Sequence, residues 1–168
     1  MTSEREIELR KGRCCFTGHR PEKLKQSEQS LRSMLEVEIM QAINDGFTVF
    51  ISGMARGIDI WAAEIVLELK REGYPLRLIC ALPYDGFGDR WSIQWREKYH
   101  RILNEADLVR IICKGYHNGC FQIRNEWMVD HSARVIALYT GEPGGTRNTI
   151  NYAKKSNVEV RNTINLKF

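Results

Sequence analysis

The chain of 168 residues has no apolar run long enough to cross a bilayer, its longest being stretches such as Leu78 to Leu82. Its start, Met1-Thr-Ser-Glu-Arg-Glu, is polar, unlike a secretory leader, so a cytoplasmic protein without membrane insertion is expected. It has four prolines and five cysteines, an odd number with no C-x-x-C pair and no grouping with the four histidines. A disulfide framework and a metal site are therefore not expected, and the cysteines read as reduced, mostly core residues. Low-complexity tracts, internal repeats and linkers are absent as well, which leaves one domain over residues 1–168. The net charge of +4 would favour an anionic ligand, but Lys and Arg are spread along the sequence rather than blocked into a run. No RNP, zinc-finger or helix-turn-helix pattern appears, so nucleic-acid binding is permitted but not argued for.

What the chain does have is alternation. Apolar strand-like runs occur at Cys14 to Phe16, Phe47 to Ile51, Leu76 to Leu82, Leu108 to Cys113 and Val135 to Tyr139, with a last one near Val158 to Ile164. Helical stripes lie between them: Leu31, Leu35, Ile39, Ala42 and Ile43, then Ile60 to Leu69, Trp91 to Leu103 and Ile123 to Val129. This predicts an α/β fold, a single Rossmann-like three-layer domain with a mostly parallel sheet and helices on both faces.

The most telling segment is Phe50-Ile51-Ser52-Gly53-Met54-Ala55-Arg56-Gly57-Ile58-Asp59, where a strand gives way to an amphipathic helix. Unpaired amides open such a helix, its dipole places positive charge there, and glycines allow close approach to the backbone. Ser52 could donate to a phosphate; Asp59 could accept from a ribose hydroxyl or simply cap the helix. The glycine spacing alone is neither G-x-G-x-x-G nor a P-loop. A second glycine loop, Gly141 to Thr146, follows another strand, offering Gly144, Gly145 and Thr146 at a helix start. The first strand exits through Thr17-Gly18-His19-Arg20-Pro21, where Arg20 could grip a phosphate and His19 contact phosphate or base. Tyr84, Phe87 and Trp91 follow the third strand in a glycine-containing segment suited to lie over a planar base. Tyr116 is a further stacking candidate, Trp61 and Trp95 read as packing, Glu64 as either a solvated or a site carboxylate, and Arg124-Asn125 as an opening helix turn.

Taken together, Thr17 to Pro21, Ser52 to Asp59 with Trp61 to Glu64, Arg124-Asn125 with Met128 to Asp130, and Gly144 to Thr146 resemble the YpsA-like branch of the SLOG superfamily. The resemblance covers nearly the whole chain, in the family's motif order. Related folds are DNA-processing protein A and the Lonely Guy phosphoribohydrolases. The resemblance implies a Rossmann-like domain binding nucleotides or nucleotide-derived ligands, NAD or ADP-ribose among them, with no required cofactor and with roles in signalling, stress or cell division. It also implies a homodimer or higher oligomer and a protein partner that receives the signal. Lonely Guy enzymes carry P-G-G-x-G-T-x-x-E, whose glutamate works with an arginine in hydrolysing an N-glycosidic bond. Arg124 matches that arginine, whereas Asn148 or Thr149 stands where the glutamate would fall, leaving Asp59 or Glu64 as substitutes. A ligand-binding or sensing module is thus the first reading, an N-glycosidic hydrolase with Asp59, Glu64 and Arg124 as catalytic candidates the second, and single-stranded DNA binding the third.

Overall fold

Side chains alternate strictly along the central strands, and two separate cores follow from that period of two. In a computed structural model, which describes residues 3–163, Cys14 and Phe16 of β1 (Arg13–Gly18) pack on one side of the sheet and Cys15 on the other. β2 (Val49–Ser52) divides likewise into Phe50 and Ile51, and β3 (Arg77–Leu82) into Leu78, Cys80 and Leu82 against Ile79 and Ala81. Strands buried on both faces read as continuous apolar runs, which is why their sequence signal was plain.

With β4 (Leu108–Ile111), β5 (Arg134–Leu138) and β6 (Glu159–Asn162), these strands form one parallel sheet in the order β4-β3-β2-β1-β5-β6. α2 (Glu28–Asn44), α3 (Ile58–Arg71) and α4 (Ile93–Glu105) bury their stripes in the larger core; α5 (Cys120–Asp130) and α6 (Gly145–Lys155) cover the other face. The expected three layers are present. β1 to β4 are laid outward on one side of β1, after which β5 returns to its other side. That reversal opens a crevice beyond the carboxyl ends of β1 and β5, where parallel α/β sheets bind ligands.

Some details differ from the sequence reading. α1 (Glu4–Arg10), capped by Ser3, had no apolar stripe to announce it, and indeed buries none of its residues. β4 reads as a core run but is an edge strand with every residue exposed. In the last strand-like run, Ile164 lies outside the described residues, and β6 ends at Asn162. All five cysteines are free and buried. No described helix is long and apolar enough to cross a membrane, and no group of potential metal ligands occurs among the described residues.

Candidate functional site

At the crevice lies an open cleft of about 810 Å³, within the range of small-molecule sites. It is lined by the end of β1 (Thr17, Gly18, His19, Arg20), the β2–α3 loop (Ala55, Arg56) with Asp59 of the first turn of α3, and the start of α6 (Gly144, Gly145, Thr146). The first, second and last glycine loops therefore meet at one end of the sheet. Tyr84, Phe87, Trp91 and Phe121 line the same cleft, Phe87 standing edge-on to Trp91 and Phe121 at 5.0 and 5.6 Å between ring centres.

The β2–α3 loop is held rigid from inside. Ser52 Oγ donates to the Asp59 carbonyl at 2.9 Å and accepts from the Met54 amide at 3.2 Å. Those bonds fix Met54, fully buried, in the left-handed region with φ of 62°, which a side chain adopts only when its surroundings enforce it. Gly57, with φ of 92°, caps α3 without a side-chain bond, and a Cβ there would lie 2.9 Å from Pro21 Cδ. Gly18 is bare because Ile58 occupies its side-chain space, a Cβ meeting Ile58 Cγ1 at 2.4 Å.

Behind this loop a buried guanidinium and a buried carboxylate, Arg124 and Asp59, both lie close to the open space at Gly53. Arg124 of α5, only 5% exposed, donates through Nη1 to the carbonyls of Gly53 and Ala81 and through Nε to Asn125 Oδ1 at 2.8 Å. Asp59 is 6% exposed; its Oδ2 accepts from the Ala55 amide at 3.2 Å, while Oδ1 has no partner among the described residues. Burial pushes the Asp59 carboxyl up to about 6, with Arg124 and the Ala55 amide pulling the other way. Burial likewise lowers Arg124 from its usual value, opposed by Asp59. The guanidinium also stands over the Phe87 and Phe121 rings at 5.7 and 6.0 Å.

His19 is 4% exposed, its ring 5.6 Å from that of Tyr139, and its Nε2 has no partner among the described residues. Burial pushes it below the usual histidine value, Lys23 in the same direction and Glu142 against. Five cations line the cleft, Arg20, Lys23, Arg56, Arg90 and Arg124, against one carboxylate, Asp59. Cations scattered along the sequence thus converge in space, so their dispersion along the chain does not count against a polyanionic ligand such as nucleic acid.

The structure brings Thr17, Gly18, His19, Arg20, Asp59, Arg124, Asn125, Gly144, Gly145 and Thr146 to the cleft, and leaves Ser52, Gly53 and Gly57 out of its lining. Those three act one layer behind: Ser52 by fixing the loop, Gly53 by making room for Arg124, and Gly57 by packing on Pro21. Glu64 is not in the lining either; its carboxylate is engaged by Arg32 at 3.0 Å and Lys98 at 3.3 Å, tying α3 to α2 and α4. Trp61 packs on Trp95. Tyr116 touches Tyr84 but does not line the cleft. Thr149, one of the two positions where the Lonely Guy glutamate would fall, is fully buried with its hydroxyl donating to the Gly145 carbonyl at 2.8 Å. Lys23 and Phe121 had escaped the sequence reading, Lys23 lying just past the Thr17 to Pro21 segment and Phe121 inside the first turn of α5.

A family model for YpsA, described as the YspA SLOG family, matches residues 14–168. The chain belongs to this family. It is 33% identical over 141 residues to the UPF0398 protein OB1025 of Oceanobacillus iheyensis, covering 78% of this chain and 76% of that one. To the SPbeta prophage-derived protein YoqJ of Bacillus subtilis it is 38% identical over 119 residues, 64% of this chain and 70% of that one. Among solved structures, DNA processing protein A from Streptococcus pneumoniae superposes with a TM-score of 0.64 at 18% identity, over 90% of this chain and half of that chain. The Helicobacter pylori protein of that name, whose structure is described for its single-stranded DNA binding mode, gives 0.62 at 17%, over 94% of this chain and 67% of that one. TM1055 gives 0.57 at 14%, over 88% and 71%. At these identities the likeness shows the fold.

Proposed function

We propose that the cleft binds a nucleotide or nucleotide-derived ligand, its phosphate toward β1, α3 and α6 and its base toward Tyr84, Phe87, Trp91 and Phe121. The observation carrying this reading is that one cleft is lined by cations, by two helix starts without side-chain caps and by four aromatic rings, two of them under the Arg124 guanidinium. Amides at a helix start and guanidinium groups suit phosphate oxygens, and ring faces or edges suit a planar base. Family membership and the switch-point position support it. Thermal melting with AMP, NAD, ADP-ribose and other nucleotides tests it, because a ligand bound only by the folded chain raises stability by mass action. An upward shift with at least one nucleotide is expected; melting unmoved by all of them contradicts the proposal.

One observation favours a second reading, N-glycosidic hydrolysis. Asp59 stands beside Arg124 with an unpartnered oxygen and a carboxyl raised toward neutrality, qualities of a general base. In such a reaction Asp59 takes a proton from water as the water oxygen bonds to C1′, the C1′–N bond breaks and that proton passes to the departing base nitrogen. Free base released from nucleoside 5′-monophosphates, and abolished by Asp59→Asn, would support this reading over simple binding. Single-stranded DNA, the ligand named for the Helicobacter pylori relative, would meet the same cations; competition between an oligonucleotide and AMP separates it from a small ligand.

A further inference from the structure

Tyr139 lines a second hollow, of about 380 Å³, that the nucleotide reading leaves unused. Its ring lies 5.6 Å from that of His19, which lines the cleft, so the two spaces adjoin. They divide again at the start of α6, where Thr146 lines the cleft and Arg147 the hollow. No residue lines both.

Three parts of the chain build the hollow. Arg147, Ile150, Asn151 and Lys154 recur at spacings of three and four, which sets them along one face of α6. Val160 and Asn162 come from the edge strand β6, and Tyr139 from the end of β5. The Asn162 side chain accepts from the Tyr139 amide and donates to the Tyr139 carbonyl, both at 3.2 Å, which fixes Tyr139 in place. Ile150, Val160 and the tyrosine ring supply an apolar part.

The charge around it is of one sign. Arg147 and Lys154 are exposed and form no ion pair among the described residues, and none of the residues lining the hollow is a carboxylate. Two helical turns separate the two cations, about 10 Å along the axis. Their long side chains can therefore close on one anion above Asn151, whose amide adds a donor.

We propose that this hollow is an accessory site for a small organic anion, a carboxylate or phosphate monoester carried on an apolar body about the size of one ring, bound apart from the ligand of the cleft. The oxyanion lies between Arg147, Asn151 and Lys154, and the body rests on Ile150, Val160 and Tyr139. Carboxylate and phosphate ester present the same oxygens to a guanidinium, and the apolar part distinguishes either from an inorganic ion.

An amide NMR titration of the full chain with benzoate, phenyl phosphate and inorganic phosphate tests this. Saturable shifts at Tyr139, Arg147, Asn151, Lys154 and Val160 are expected with at least one of the ring-bearing anions, at an affinity about tenfold or more above that of inorganic phosphate. Benzoate against phenyl phosphate tells which acid the site prefers. Arg147→Met should weaken that binding about tenfold, as the loss of a bidentate charge-assisted contact implies, and Lys154→Met severalfold. Both side chains are exposed, so melting should stay where it is in either variant. Inorganic phosphate binding as tightly as both ring-bearing anions, or an affinity that survives Arg147→Met, overturns the site. Shifts confined to Gly18, Arg56 and Gly145 overturn it as well, and leave the nucleotide reading of the cleft intact.

Discussion

The carbonyl of Gly53 accepts a hydrogen bond from Nη1 of Arg124, and the missing side chain of Gly53 is what lets the guanidinium lie there. A Cβ at Gly53 would stand 2.9 Å from Arg124 Nη1 and 3.0 Å from Asp59 Oδ2. The glycine therefore makes room for the protein's own buried Arg124 and Asp59. Gly53→Val should displace Arg124 from two carbonyls and cost about 2 to 4 kcal/mol of stability, read as a lower urea midpoint. An unchanged midpoint would show that the pair has room to move.

Arg124→Met removes the charge that faces Asp59 and leaves the carboxyl buried. Leaving a buried carboxylate with no facing cation costs up to about 3 to 5 kcal/mol, here reduced to the extent that Asp59 takes up a proton. The double variant with Asp59→Asn should recover part of the loss, and a double-mutant cycle measures how much. Strict additivity of the two changes would deny their coupling.

Asp59 also sets a pH dependence whose sign is definite. Its carboxyl titrates at about 6 in the folded chain against an ordinary value of 3.8, so between those values the folded state holds more protons than the unfolded one. Stability from this group falls as pH rises through that window, and the loss is complete above it. Glu6, Asp45 and Asp107, held below their usual values, act in the opposite sense at lower pH. The comparison that isolates Asp59 is wild type against Asp59→Asn. Relative to the variant, wild type should lose stability from pH 4 to 6 and bind anions more tightly at pH 5 than at 7. Parallel curves would contradict it.

Arg20 and Glu64 separate binding from scaffolding. Arg20 is exposed at the cleft with no ion pair among the described residues, so Arg20→Ala should weaken phosphate ligands severalfold with little change in melting. Glu64 joins α3 to Arg32 and Lys98 away from the cleft lining, so Glu64→Gln should lower stability by up to about 1 kcal/mol and leave affinity unchanged. The reverse pattern would exchange their roles.

Much of this arrangement was legible in the residues because buried parallel strands carry unmistakable apolar runs, as from Leu76 to Leu82, and glycines mark their exits. Strand order was not, since nothing local to β5 says that it returns to pair with β1. The site suffered from the same limit. Gly18, Arg20, Asp59 and Gly145 follow strands and were found, whereas Lys23 arrives by a turn and Phe121 by the start of α5. Ser52, Gly53 and Gly57 lie outside the cleft lining, which their sequence could not show, because a polar or glycine residue in a loop looks alike whether it meets a ligand or supports its neighbours. Glu64 illustrates the converse, a carboxylate on the right helix but engaged by α2 and α4.

The central claim is that a nucleotide occupies the cleft beyond β1 and β5, and an amide NMR titration of the chain with AMP tests it most directly. The account predicts saturable shifts at Gly18, Arg20, Arg56, Gly144 and Gly145, with little change at Asp45 and Arg134, which pair at the opposite end of the sheet. Shifts confined to that opposite end, or no shifts under saturating nucleotide, would contradict it.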